Sequence, residues 1–447
     1  MTELNGKIIE GNFTSGIYKP NSVYRYTIHV PEECNENYSA ALSLHHDGLN
    51  RNEALAVYEL AKEGKAPFTV SIGVFPATLY PTLEGGEARF MRINDYDLFD
   101  ESYPYFVTRE LIPHLIEKHS LSVSPSADMH TVSGGSSGAI SAFNIAWHCP
   151  DFFHRIYMSS PSFLSMGGGR APIELMRKYE PKPFRIYYEY SEHEPNDYFG
   201  SSYCAAIDAK MALEYSGYPI LSKYFENEGH CSRYRCTETL KEGYEFLWRE
   251  DKVSVPEFNK RLASLIDKDS SWEATDFFPE KEKCGYSFDQ SGIIKGEKTL
   301  ADGFSHISSL AVSSDKWRLY IADKDRSALY AMSIERNGEL SSLSTLAILH
   351  TKTVSKIHGA LDIVTDEQDR IYALTELGIQ CVRSFGIVDF ILSLPEGSSF
   401  DEIAIGDNNG VSYLYVKNDT KIYRKKIKNS AAKNTPTKPH TTEYYIV

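Results

Sequence analysis

The sequence predicts a mostly parallel α/β sheet flanked by helices, followed by a smaller all-β domain. Three observations carry this. Short apolar runs alternate with amphipathic helical stretches up to about residue 250, the rhythm of strand–helix–strand units. A bend of small residues, Gly134-Gly135-Ser136-Ser137-Gly138, joins one such run to the next helical stretch. Beyond residue 288 the helical period disappears and short strands recur at hairpin spacing.

In chain order, Lys7–Phe13 and Ser22–Val30 read as strands, and Pro31 ends the second. Ala40–Leu44 is a short apolar run that breaks at His45-His46-Asp47-Gly48-Leu49-Asn50. Residues 52–63 form an amphipathic helix, and Phe68–Val74 is the next buried strand. The polar-aromatic stretch 76–100 is a long loop; its length marks it as functional or disordered, and its aromatic content favours the first. Glu101–His119 is helical, Met129–Ser133 is the strand before the bend, and the helix after it stops before Pro150. Strands Phe153–Ser159, Phe184–Tyr190 and Tyr218–Phe225 follow, separated by a Gly-rich loop with a short helix and by the helix Cys204–Ser216. A helix over 238–249 closes the first domain at residue 250.

Residues 251–288 read as a linker. From 289 to 428 strands fall into repeated sets: Ser308–Val312, Trp317–Ala322, Ser327–Ile334; then Ala360–Thr365, Arg370–Leu374, Gly378–Arg383, Ile387–Leu392; then Asp401–Ile405, Val411–Lys417, Lys421–Ile427. A repeat of roughly fifty residues with several short strands each is the pattern of propeller blades, and about three such units fit. Residues 429–447 are rich in Lys, Thr and Pro and are expected to be a poorly ordered tail.

Composition narrows the function classes. The 447 residues exceed one ordinary core, and the 42% hydrophobic and 24% charged content suits a globular protein. The formal charge is −14; from Lys281 onward 21 basic residues balance 21 acidic ones, so the whole deficit lies in the first 280. That acidity argues against nucleic acid as a partner. The start Met1-Thr2-Glu3-Leu4-Asn5-Gly6 has no basic or apolar leader region, and no later run is apolar enough to span a bilayer. A cytoplasmic, membrane-free protein is expected. Seven scattered cysteines, an odd number, suit a reducing compartment. Cys231 and Cys236 are close together, but no second pair completes a zinc site, so no metal is expected.

The chemistry gathers at strand ends. Ser136 stands at the centre of G-x-S-x-G, Glu194 follows the strand Phe184–Tyr190, and His230 follows the strand Tyr218–Phe225. Nucleophile, acid and base thus come in the order of an α/β-hydrolase triad. A serine hydroxyl needs an imidazole to take its proton, and the imidazole needs a carboxylate to fix its tautomer. Asp197 is the rival acid. Two N–H donors for an oxyanion are expected from Ser137 and from the loop holding Gly48 and Leu49. Arg89, Arg92 and Tyr96 either line the substrate pocket or pack beneath the long loop; Asn196 and Tyr198 are further candidate substrate contacts. Of His45 and His46, at most one reaches the site, because neighbours on a strand end point opposite ways.

Several segments together resemble the esterase group that includes enterochelin esterases, esterase D and feruloyl esterases. They are Tyr26–Pro31, Asp47-Gly48, Gly134–Ala139 with Ala142-Phe143 and Ala146-Trp147, Pro150-Asp151 with Phe153, and Glu228-Gly229-His230. More closely, the chain is similar to esterases fused to a gluconolactonase-like propeller. In that subgroup the stretch after the sixth strand reads Asp-Leu-Asn-x-Tyr-Gly; here it is Glu194-Pro195-Asn196-Asp197-Tyr198-Phe199-Gly200. The resemblance therefore implies a glutamate in the place of the family's aspartate. Gluconolactonase-like propellers hold a divalent metal through Glu, Asn and Asp. Here Ile307-Ser308-Ser309-Leu310 replaces the opening Pro-Asn-Gly-Leu, and Leu361-Asp362-Ile363 shifts the aspartate by one, onto the opposite strand face.

The expected function is a serine carboxylic-ester hydrolase, without cofactor, acting through an acyl-enzyme on a small sugar or aromatic-acid ester. Its alternatives are a catalytically idle carbohydrate-binding or assembly protein, and a metal-dependent lactonase. Three blades leave open sheet edges, which either a homodimer through the partial propeller or the first domain would cover.

Overall fold

The computed structural model describes residues 4–35, 39–164, 166–281, 284–352, 355–395 and 399–432. Most of the expected tail at 429–447 lies outside them. The chain divides into two compact units, Met1–Arg177 with Pro181–Glu257, and Lys178–Glu180 with Phe258–Val447.

The first unit is built on one sheet. Its elements are β1 (Lys7–Thr14), β2 (Ser22–Val30), β3 (Ala41–His46), α1 (Arg51–Lys62), β4 (Thr69–Val74), β5 (Thr78–Leu79) and β6 (Arg89–Phe90). There follow α2 (Ser102–Phe106), α3 (Ile112–His119), β7 (His130–Gly135), α4 (Ser137–His148), β8 (Arg155–Ser159) and α5 (Ala171–Lys178). Then come β9 (Arg185–His193), β10 (Asn196–Asp197), β11 (Gly200–Ser201), α6 (Ser202–Tyr215), β12 (Ile220–Gly229) and α7 (Thr237–Leu247). The strand order is β12-β9-β8-β7-β3-β4-β2-β5-β6, with β1 on β2. From β12 to β4 the pairs are parallel; β2 joins antiparallel to β4.

The central strands β3, β4 and β8 are buried at every position, as a sheet covered on both faces requires. α1 and α7 pack together over one face through Ala56, Val57, Leu60, Leu240, Tyr244 and Leu247. α4 is buried at eleven positions, Ser137 through Trp147, and lies against β7 and β8. The long loop differs from the expected irregular stretch. It holds the β5–β6 hairpin and a π-helical turn at Ile93–Asp97, and a second π turn, Val107–Leu111, interrupts the helix expected over 101–119.

The second unit consists of a short helix, α8 (Lys260–Ala263), and small antiparallel sheets. β13 (Trp272–Ala274), β14 (Ser287–Phe288), β15 (Ile293–Lys295), β16 (Lys298–Ala301), β17 (Ile307–Val312), β18 (Arg318–Asp323), β19 (Ala328–Ile334) and β20 (Leu340–Ile348) come first. β21 (Asp362–Thr365), β22 (Ile371–Thr375), β23 (Gly378–Val382), β24 (Val388–Leu392), β25 (Glu402–Asn408), β26 (Val411–Lys417) and β27 (Ile422–Ile427) complete it. Strands β17–β20 and β21–β24 form two four-stranded meanders, and β13-β27-β26-β25 a third sheet. β13 falls in the stretch read as linker, and β20 in a serine-rich stretch to which the sequence pattern assigns no strand. Neither shows a strand period, and pairing with β27 and β19 makes them strands.

Close approach fixes one glycine. A Cβ on Gly134 would collide with the Gly138 carbonyl, where β7 meets α4. Gly134→Ala is expected to cost about 1–3 kcal/mol, the usual penalty of overpacking, read as a lower thermal unfolding midpoint than wild type.

Candidate active site

β7 ends at Gly135 and α4 begins at Ser137, so Ser136 alone makes the turn. Its backbone sits at φ 58° and ψ −126°, a region side chains avoid; such strain costs about 1–3 kcal/mol and persists only where neighbours hold it. They do. The Ser136 amide donates to the Ser159 carbonyl at 2.9 Å, and its carbonyl accepts from the amides of Ala139 at 3.0 Å and Ser162 at 3.5 Å. Ser136 lines a cavity of about 700 Å³, and His230 lines the same cavity.

His230 follows the last residue of β12, and its Nδ1 hydrogen-bonds Glu194 Oε2. Glu194 is 1% exposed at its side chain, and its other oxygen accepts from the Ser191 amide at 3.0 Å. Burial pushes the Glu194 carboxyl up, but bonds from His230, Ser160 and the Ser191 amide outweigh it and hold the group below the usual range. Burial likewise pulls His230 down, and bonds to Cys231 and Glu194 with their charges outweigh it and raise the imidazole. A carboxylate on Nδ1 leaves Nε2 as the basic atom. Asp197, the rival acid, instead accepts from the Phe199 amide at 2.9 Å in the exposed β10–β11 hairpin.

The candidate oxyanion donors sit at two places. Ser137 is the first residue of α4, where amides lack helical partners. Gly48 and Leu49 line the cavity, but the Gly48 amide donates to the Val74 carbonyl at 3.2 Å. Of the two, the Leu49 amide is therefore the better placed to serve an oxyanion. This loop sits directly on Gly73, where a Cβ would collide with the Leu49 amide.

Arg92 lines the cavity and forks onto Asp47, Nη2 to Oδ2 at 2.8 Å and Nε to Oδ1 at 3.4 Å. Tyr96 is fully buried and works from beneath. Its hydroxyl accepts from the Asp47 amide at 3.1 Å and donates to the Val74 carbonyl at 3.2 Å. Arg89, Asn196 and Tyr198 lie outside the cavity lining, and Tyr198 is 88% exposed. The two histidines diverge: His46 lines the cavity while His45 turns to Glu53 at 2.7 Å. Burial pushes His46 down to about 4, with its Nδ1 on the Ser133 carbonyl at 2.8 Å, so it stays neutral.

Sequence reasoning missed Ser162, whose hydroxyl lies 3.1 Å from that of Ser136, and Ser160, whose hydroxyl accepts from the Cys231 amide at 3.0 Å. Both follow β8, the strand beside the one that leads to Ser136, and that strand-end position was the available signal. Tyr234 was missed too. It lines the cavity, and its hydroxyl donates to the buried Glu53 at 2.9 Å. Only the fold brings residues 53 and 234 together.

In comparisons with known proteins, the family model described as "Putative esterase" matches residues 19–273. No curated protein matches the chain. Similar solved structures include a ferulic acid esterase, 15% identical, covering 55% of this chain and 99% of that one with a TM-score of 0.42. The enterochelin esterase from Shigella flexneri is 18% identical, covering 54% of this chain and 58% of that one, TM-score 0.41. An S-formylglutathione hydrolase from Agrobacterium tumefaciens is 16% identical, covering 57% and 98%, TM-score 0.42.

The strained turn yields a stability test. Ser136→Ala keeps the strain and Ser136→Gly relieves it, so the glycine variant should exceed the alanine variant by about 1 kcal/mol. Equilibrium denaturant unfolding of both variants measures the difference.

Proposed function

The chain belongs to this esterase family, and from that premise we propose that it is a serine carboxylic-ester hydrolase working through Ser136, His230 and Glu194. One observation carries the reading. The serine held at the sharp β7–α4 bend opens into the cavity that also receives a histidine bonded to a buried carboxylate.

The chemistry follows from those positions. Ser136 Oγ attacks the ester carbonyl as its proton passes to His230 Nε2, and the carbonyl oxygen gains charge beside the Ser137 and Leu49 amides. The C–O bond to the alcohol breaks, and His230 returns the proton to the departing oxygen. Water, deprotonated by the same imidazole, then attacks the acyl-enzyme and releases the acid and free Ser136. Glu194 keeps the proton on Nδ1 and stabilises the imidazolium. Small sugar esters and aromatic-acid esters suit a cavity of this volume.

The second unit we read as an open partial propeller of gluconolactonase type. The meanders β17–β20 and β21–β24 and the sheet closed by β13 support this, with β21 packing on β17 on one side and on β25 on the other. Its Asp362 is already engaged. The carboxylate accepts from Lys281, from Ser309 at 2.6 Å and from the Ile403 amide at 2.8 Å, so an ammonium stands where a metal would need that oxygen.

Three measurements test the catalytic assignment. Ser136→Ala should lower kcat on a short-chain p-nitrophenyl ester by about 10⁴-fold or more and abolish fluorophosphonate labelling; full turnover in that variant would remove the mechanism. The base must be neutral, and His230 is raised, so kcat/KM should climb with pH beyond the ordinary imidazole range. Glu194→Gln should shift that limb to lower pH and cut kcat by about 10³–10⁴-fold.

A further inference from the structure

The rim of the Ser136 cavity carries charge opposite to that of the chain. Three arginines line it, Arg51, Arg92 and Arg235, against one carboxylate among the lining residues, Asp47. Arg92 and Asp47 neutralise each other through their fork. Arg51 and Arg235 have no carboxylate partner among the described residues, and both are exposed. His46 adds no charge, since burial keeps it neutral.

The two backbone segments that carry these arginines are tied together. Asn50 Nδ2 donates to the Tyr234 carbonyl at 3.0 Å, and Asn52 Nδ2 donates to the Arg235 carbonyl at 2.9 Å. These paired bonds stitch the start of α1 to the turn after His230, so Arg51 and Arg235 share one wall of the cavity. The same wall is the N-terminus of α1, a twelve-residue helix whose cap, Asn50, accepts from the Glu53 amide at 3.3 Å. Its dipole adds positive potential in the same direction. A net charge of −14 repels anions at long range, but screening confines that field to about 8–10 Å, and inside the cavity the nearest charges decide.

We infer that the substrate of this site is an ester carrying an anionic group, a carboxylate, sulfate or phosphate, that Arg51 and Arg235 receive while Ser136 faces the carbonyl. The inference rests on the serine-hydrolase reading above and names its substrate class. The anion can sit on the acyl or the alcohol side, and the chemistry of recognition is the same.

Two matched pairs of esters separate these cases. Mono-p-nitrophenyl adipate against p-nitrophenyl hexanoate places the anion on the acyl side; 4-acetoxybenzoate against its methyl ester places it on the alcohol side. In at least one pair the anionic ester should show a kcat/KM about 5- to 10-fold higher at low salt, and the advantage should shrink at 0.5 M salt, roughly. Arg51→Gln combined with Arg235→Gln should bring the ratio close to one, whereas Arg109→Gln combined with Arg249→Gln, which removes equal charge outside the lining of this cavity, should leave it intact. Hydrolysis of the neutral esters with no anionic preference in either pair overturns the inference and leaves the hydrolase reading standing. A preference that survives the double substitution also overturns it. Absence of all turnover together with an unlabelled Ser136 overturns both.

Discussion

One backbone angle organises the first unit. Ser136 at φ 58° has no room to relax, because β7 feeds α4 without a spacer and Gly134 lies against Gly138. The conformation survives because Ser159, the last residue of β8, accepts from the Ser136 amide and Ser162, just beyond β8, donates to the Ser136 carbonyl. Strain of this kind is paid for by its surroundings. Here the surroundings are the neighbouring strand, so the sheet order is itself part of the site. Most of the groups around Ser136 arrive from strand ends on the same edge: the Asp47–Leu49 loop from β3, Ser160 and Ser162 from β8, Glu194 from β9 and His230 from β12.

Burial then sorts the titratable groups by role. Glu194 remains a carboxylate despite its burial because three donors converge on it, and it holds the imidazole of His230, which is raised. His46, equally close to the cavity but offered only a carbonyl, is pushed down and kept neutral. Beneath them lies a second layer of polar groups. Glu53 takes His45, Tyr234 and Tyr244, and Glu189, pushed up to about 7 by burial, takes Ser159, Tyr157 and Tyr187. Both oxygens of Glu53 and of Glu189 accept hydrogen bonds, which holds these side chains in place; they back the Ser159 carbonyl that anchors Ser136 and the Tyr234 wall of the cavity.

The second unit solves a different problem. Its sheets are small and antiparallel, and their stability comes from side chains meeting between them. Leu262, Leu265 and Ile266 join Tyr372, Leu374, Phe390, Ile403 and Leu414 in one apolar cluster. Asp362 ties neighbouring sheets through Ser309 and the Ile403 amide. In this unit a polar group that could bind a ligand serves as a strut.

By itself the sequence determined what local pattern can determine. Apolar runs, helical periods and the small-residue bend located the strands and helices around Ser136 to within a few residues, and chain order pointed to His230 and Glu194. Short segments escaped it. β13 has three residues and β20 is mostly serine and leucine, so their strand character exists only in their partners' hydrogen bonds. Tertiary structure decided the rest. It set Glu194 rather than Asp197 against the imidazole, committed the Gly48 amide to β4, took Arg89, Asn196 and Tyr198 away from the cavity, and gathered Arg51, Arg92 and Arg235 around it. The reason is geometric: a residue's type and neighbours fix its chemistry, but direction and distance between side chains far apart in the chain are set only when strands pair and helices pack.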